Sequence, residues 1–101
     1  AILTDSDLSN ADLRRTNFRG ADLSGAYLEG ANLSQVDFRK SSLALATLIG
    51  TDLREADLRE AILQNVNFSG AKVENLNFGD NQGLTPSQQA WLLENGAQLA
   101  W

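Results

Sequence analysis

Ala11-Asp12-Leu13-Arg14-Arg15, Thr16-Asn17-Phe18-Arg19-Gly20, Ala21-Asp22-Leu23-Ser24-Gly25 and Ala26-Tyr27-Leu28-Glu29-Gly30 follow one another without a break. Each block of five has a small residue first and a Leu or Phe third. Extended in both directions, the same frame covers residues 1–80 as sixteen blocks with no insertion. The third position is apolar throughout, from Leu3, Leu8 and Leu13 to Phe68, Val73 and Phe78. The first position is mostly small, as at Ala1, Ser6, Ala11 and Ala71.

A period of five suits neither straight element. On an α-helix, five residues turn through about 500°, so successive Leu step about 140° around the axis and form no stripe. On a flat strand they fall on alternate faces. Keeping them on one side requires a bend in every block. The first and third positions then share the inner side and the second points out, as on a strand. The fourth and fifth positions make the corner, which fits Gly20, Gly25, Gly30, Gly50 and Gly70 and Asn10, Asn65 and Asn75 at the fifth.

Regular bending in one sense coils the chain into an all-β solenoid. A slower rhythm sets the number of sides. Phe18, Phe38, Leu58 and Phe78 lie twenty apart, as do Arg19, Arg39 and Arg59. A three-sided coil would align Phe18 with Leu33 and Leu48, a poorer match, so four sides are preferred. Residues 1–80 then make about four coils, a column about 19 Å tall at the spacing of stacked strands.

The blocks at 11–15, 21–25, 31–35 (Ala-Asn-Leu-Ser-Gln) and 56–60 (Ala-Asp-Leu-Arg-Glu) resemble the pentapeptide-repeat proteins. The resemblance covers about 80 of 101 residues. It implies a right-handed quadrilateral β-helix with the first and third positions inward. It implies no single activity, because the family is functionally diverse.

After Asp80-Asn81-Gln82-Gly83 the repeat stops, dividing the chain into a repeat unit, 1–80, and a C-terminal segment, 81–101. Thr85 reads as a helix N-cap, Pro86 as the first helical residue and Gln88 as the partner in a capping box, with Gly96 as the stop. The expected helix, about 86–95, is a capping α-helix over the last coil's apolar end. Ala90, Trp91, Leu92 and Leu93 supply its apolar face, with Leu99 and Trp101 adding to the lid. A dimerisation handle is the alternative use of this end. No comparable lid precedes the repeat, so a lost segment or a partner is expected to cover the first coil. With no Met in the chain, processing or trimming upstream of Ala1 is expected, and the compartment is not readable.

Composition removes most chemistry. Without Cys or His there is no disulfide, no thiol or imidazole nucleophile and no ordinary zinc site. The glycines sit singly and build no phosphate loop. No apolar run approaches the roughly 20 residues of a membrane span. The second-position Asp and Asn residues, such as Asp7, Asp12, Asn17, Asp22, Asn32, Asp37, Asp52, Asp57, Asn67 and Asn77, read as groups that face water and hydrogen-bond locally to neighbouring turns. As a calcium ladder they lack the nonapeptide pattern. No cofactor, metal or catalysis is expected.

Sidedness carries more information. Dealt in rotation onto four sides, the blocks place all eight basic residues on sides three and four, with eight acids beside them. Arg19, Arg39 and Arg59 would stack with a repulsion in water of about 0.9 kcal/mol per adjacent pair, which Asp37 and Asp57 offset. That flank reads as a solvated salt-bridge surface, with an anion-binding arginine ladder as the alternative. Sides one and two carry Asp5, Asp7, Asp22 and Glu29, no base, and outward apolar residues: Ile2, Tyr27, Ala44, Leu45, Ile49 and Ile62. Grouped apolar exposure marks contact surfaces. The expected function is a non-catalytic scaffold that binds a protein partner, or a second copy of itself, through Ile2, Tyr27, Leu45, Ile49 and Ile62. The alternative, from the resemblance, is a DNA mimic that modulates a type II topoisomerase. A net charge of −5 over that column is about one per 4 Å, against about one per 1.7 Å in duplex DNA, which disfavours it. Neither nucleic acid nor membrane is an expected partner.

Overall fold

The computed structural model describes residues 2–100; Ala1 and Trp101, assigned above to the inner column and the lid, lie outside them. Nearly all of its β structure is single-residue rungs rather than long strands. Thirteen parallel bridges join second-position residues twenty apart, from Ile2↔Asp22 to Ile62↔Gln82. One circuit therefore takes four blocks, and the chain is a β-helix-like solenoid of 29 × 21 × 21 Å. The named elements are β1 (Asn77–Phe78), α1 (Pro86–Glu94) and β2 (Gln98–Leu99), with β1 and β2 parallel.

A block in the middle of the column with Asp or Asn at its second position satisfies all five of its N–H groups. In the block 36–40, Val36 donates to Leu33 C=O at 3.3 Å and closes the preceding corner. Asp37 donates back to Thr16 at 3.1 Å, while Phe38 and Lys40 donate onward to Asp57 and Arg59 at 2.9 and 3.3 Å. The fourth, Arg39 N–H, is taken by Asp37 Oδ1 at 3.0 Å. Second-position Asp and Asn, Asn77 excepted, thus complete the backbone account of their own turn; their bonds are local, as expected, but go to that turn rather than to neighbouring ones. The corners are more uniform than the residue types suggest. Every fifth-position residue from Asp5 to Asp80 has φ between 52° and 72°, including Arg15, Lys40, Leu45 and Glu60 as well as Gly and Asn. The turn imposes the left-handed region on whatever residue stands there, because its N–H must point along the column to the next rung.

The first and third positions fill the axis. Leu23, Leu28, Leu33, Phe38, Leu43, Leu48, Leu53, Leu58 and Leu63 have no exposed surface, and Phe18 stacks on Phe38 at 5.6 Å between ring centroids. Where Ser41 and Thr51 replace Ala, each hydroxyl donates to a carbonyl of its own turn, Phe38 O at 2.6 Å and Leu48 O at 2.9 Å. The expectation that all sixteen third-position residues are interior needs one correction. Leu3, Leu8 and Leu13 are only half-buried, since among the described residues nothing stacks on the outer side of their circuit.

At the other end, Gln82 continues side one above Leu63, and the Gly96 carbonyl accepts from Asn75 at 2.9 Å on side three. β2 pairs with β1 on side four, and α1 follows side two in place of a strand, with Gln88 bonded to Val66 and Trp91 stacked on Phe68. Thr85 and Gln88 form the capping box. The helix ends at Glu94, with Asn95 as C-cap, one residue before the expected end. Its apolar face also differs from expectation. Leu92 is fully buried and Trp91 half-buried, but Ala90 and Leu93 are exposed. At about 100° per residue, positions 88, 91, 92 and 95 share a face, and 90 and 93 flank it on the water side. Leu99, expected in the lid, is exposed on β2.

Candidate protein-contact surface

The charged flank spends four of its six arginines on its own aspartates. A fourth-position Arg two residues after a second-position Asp lies alongside it on the same outer face. Arg14 with Asp12, Arg39 with Asp37, Arg54 with Asp52 and Arg59 with Asp57 all form forked pairs, with Nε to Oδ1 at 2.9–3.0 Å and Nη2 to Oδ2 at 2.6–2.8 Å. The arginine side chain, helped by the backbone N–H, holds Asp12, Asp37 and Asp52 below the ordinary carboxylate range. Burial pushes Asp57 the other way, but the Arg59 side-chain and backbone bonds together outweigh it and leave its pKa lowered. At the fifth position of side three, Arg15 donates to Gln35 at 3.0 Å and Gln35 to Glu55 at 2.8 Å, a polar rail along the column. A hollow of about 180 Å³ lies among Arg19, Arg39, Lys40, Arg59, Glu60 and Asp80, where acids interleave the stacked bases. Among the described residues no group of three carboxylates could hold a metal ion.

The other flank has no such pairing. Tyr27 is 51 %, Leu45 64 % and Ile49 38 % exposed. Tyr27 bridges to Thr47 on the next rung, and Leu45 and Ile49 stand on either side of Thr47 in sequence, so these three span side two, Leu45 at its first corner and Ile49 at its second. The remaining two proposed residues do not join them in the same way. Ile62 is half-buried between the Ser42 and Gln82 rungs. Ile2 is exposed but lies on the first rung of side one, two rungs below the Leu45 block and three from Ile62, along Ile2↔Asp22↔Ser42↔Ile62. Of the helix residues, Thr85 and Pro86 begin α1, Leu92 joins the core, Leu93 faces water, and Trp91 stacks on Phe68 at 6.3 Å between centroids.

That stack forms a feature the sequence reading missed. A groove of about 340 Å³ runs between side two and α1, lined by Val66, Asn67, Phe68, Ser69, Gln88 and Trp91. Ser69 sits one rung beyond Ile49 through the Gly50–Ser69 bond, so the groove continues the Tyr27–Ile49 surface. The signal was the change from strand to helix on one side of the column. Reading Phe68 as interior and Trp91 as lid hid the gap between them.

A family model described as pentapeptide repeats matches residues 1–39 and 41–80 in eight copies. Among solved structures, a pentapeptide repeat protein of the cyanobacterium Cyanothece 51142 is 30 % identical with a TM-score of 0.72, covering 80 % of this chain and 52 % of its own. This chain therefore spans about half the length of that protein. One from the thylakoid lumen of Arabidopsis thaliana is 32 % identical with a TM-score of 0.64, covering 95 % and 71 %. One from Nostoc Pcc 7120 is 31 % identical with a TM-score of 0.62, covering 98 % and 84 %. No curated protein sequence matches the chain.

Proposed function

Because this chain belongs to the pentapeptide-repeat family, we propose that it is a non-catalytic scaffold whose sides one and two contact a protein, either a partner or a second copy. In this reading residues 1–80 are a rigid column of about four coils and residues 81–101, with α1, are its closing cap. The carrying observation is the contrast between flanks. Tyr27, Leu45 and Ile49 present apolar surface with no base beside them on sides one and two, while the opposite flank pairs Arg14, Arg39, Arg54 and Arg59 with its own aspartates. A rigid column also keeps the ordering cost of binding low. Nucleic acid and membrane have no part in it, and among the described residues no helix is long and apolar enough to cross a bilayer. Leu45→Lys with Ile49→Lys, set beside Arg54→Ala, tests the reading by size-exclusion with light scattering and by pull-down. The lysine pair should abolish self-association or partner capture and the alanine should not. Equal behaviour of both variants and wild type would contradict it.

The DNA-mimic alternative is supported less well. Asp12, Asp37, Asp52 and Asp57 are each engaged by an arginine, so side three and side four offer no phosphate-like row of free charge. A supercoiling assay with gyrase at micromolar protein should show no effect.

A further inference from the structure

The ladder of side two ends on two unused donors. On each rung below, the third- and fifth-position N–H groups donate to the second- and fourth-position carbonyls of the next block. Leu8 and Asn10 reach Tyr27 and Glu29 at 2.7 and 2.8 Å, Leu28 and Gly30 reach Thr47 and Ile49 at 2.9 Å, and Leu48 and Gly50 reach Asn67 and Ser69 at 2.9 Å. The next pair is Phe68 and Gly70. Beyond that rung the chain supplies α1 instead of a strand, set off from it by the groove, and among the described residues neither N–H has an acceptor. The third group of that rung is served: Val66 C=O, which on lower rungs accepts a backbone N–H (Tyr27 to Ser6 at 2.8 Å, Thr47 to Ala26 at 3.0 Å), accepts Gln88 Nε2 at 3.0 Å. The helix thus replaces one bond of a missing strand and leaves the other two open, along the groove lined by Phe68 and Trp91.

The lower rungs define what would complete this one. It is a pair of carbonyls two residues apart on an extended backbone running parallel to residues 66–70. The residue between them would turn inward, as every third-position side chain does, and here inward is the apolar wall of the groove formed by Phe68 and Trp91. The surroundings set the charge. On side two Glu29 stands two rungs below Ser69 through Ile49, and α1 ends on Glu94, against one base, Lys72, past the corner at Gly70, so the flanking charge is net negative. We propose that this groove binds an extended cationic peptide segment of a partner by strand addition, with backbone carbonyls on Phe68 and Gly70 N–H and an apolar side chain against Trp91. The proposal rests on the protein-contact reading above and assigns it a partner chemistry and an edge.

The test uses the whole chain, labelled with ¹⁵N, and a seven-residue peptide in which lysine alternates with valine or leucine, leucine at the centre. In the free protein the amides of Phe68 and Gly70 should exchange with solvent faster than those of Leu48 and Gly50, their bonded counterparts one rung down. Adding the peptide should shift and protect both. Ser69→Arg should weaken binding about tenfold, while Ser9→Arg, the same charge change on the first rung of side two, should not. An arginine fits either site, since Arg19 follows Asn17 with the same N–H to Oδ1 bond of 3.0 Å that Ser69 makes to Asn67. Protection of Phe68 and Gly70 already in the free chain, no binding, or equal weakening by both arginines would overturn the proposal. Binding that is lost in Leu45→Lys with Ile49→Lys but leaves Phe68 and Gly70 unshifted would also overturn it, and would leave the protein-contact reading standing.

Discussion

Asp57 holds Arg59 twice: Oδ1 accepts the Arg59 backbone N–H at 3.1 Å, and Oδ2 accepts its Nη2 at 2.6 Å. One carboxylate both completes a corner and neutralises a stacked base. Asp37 does the same for Arg39, and Arg39 Nε also lies 3.8 Å from Asp57 Oδ2, linking the two rungs.

These aspartates make stability depend on acid. Their folded pKa values lie below the unfolded value, so their contribution is complete above the ordinary carboxylate range, about pH 4, and is lost as pH falls through the folded values. The melting temperature should be flat from neutral pH to about pH 5 and fall steeply below about pH 4. Asp57→Asn keeps an acceptor for the Arg59 N–H but drops the ion pair, so its acid-induced fall should be shallower. Asp57→Ala removes the acceptor too and should lose about 1 kcal/mol at neutral pH. A melting temperature that rises on acidification would contradict this.

Core position should grade the effect of truncation. Leu43 has no exposed surface, and Leu43→Ala should destabilise by about 2–5 kcal/mol in urea unfolding. Leu43→Asp should leave the column unfolded, since an unpaired charge would enter a dry centre. Leu3 is half-buried, and Leu3→Ala should lose less than half as much as Leu43→Ala.

Leu45 holds φ at 62°, a conformation unfavourable by about 1–2 kcal/mol for a residue with a bulky Cβ substituent. Asn, which stands at the same corner position at Asn65, tolerates it better. Leu45→Asn should therefore raise stability by about 1 kcal/mol in the same assay, even as it removes exposed apolar surface. A loss of stability would show that Leu45 makes contacts within the column that outweigh its backbone strain.

Two glycines separate strain from collision. Gly20 has φ +72° and open space where a Cβ would go; Gly83 has φ +87° and would place a Cβ 2.5 Å from the Gln64 Cα. Gly20→Ala should lose about 1 kcal/mol, and Gly83→Ala should lose more and disturb the seating of residues 81–83 on side one. Circular dichroism during thermal melting compares the two.

The period of five at Leu13, Phe18 and Leu23 and the spacing of Phe18 from Phe38 were enough to read the solenoid and its four-block circuit, because an inward residue every five positions admits few backbones. The N-terminus of α1 was legible for a local reason: Thr85, Pro86 and Gln88 carry the cap chemistry within four residues. What the sequence hid depends on contacts between rungs. Ile62 and Tyr27 occupy the same block position, yet one is half-buried and the other exposed. Leu93 belongs to the same apolar run as Leu92, yet only the geometry of α1 says which faces in. The groove at Phe68 and Trp91 arises from a strand that is absent, which no residue type announces.

The most direct test of the contact reading compares the two flanks in one experiment. A photo-crosslinking residue is placed at Ile49 or, separately, at Arg54, and covalent adducts are measured in cells of the source organism. Discrete protein adducts should form from position 49 and disappear with Leu45→Lys, and few should form from position 54. Adducts concentrated at position 54, or equal at both, would contradict it.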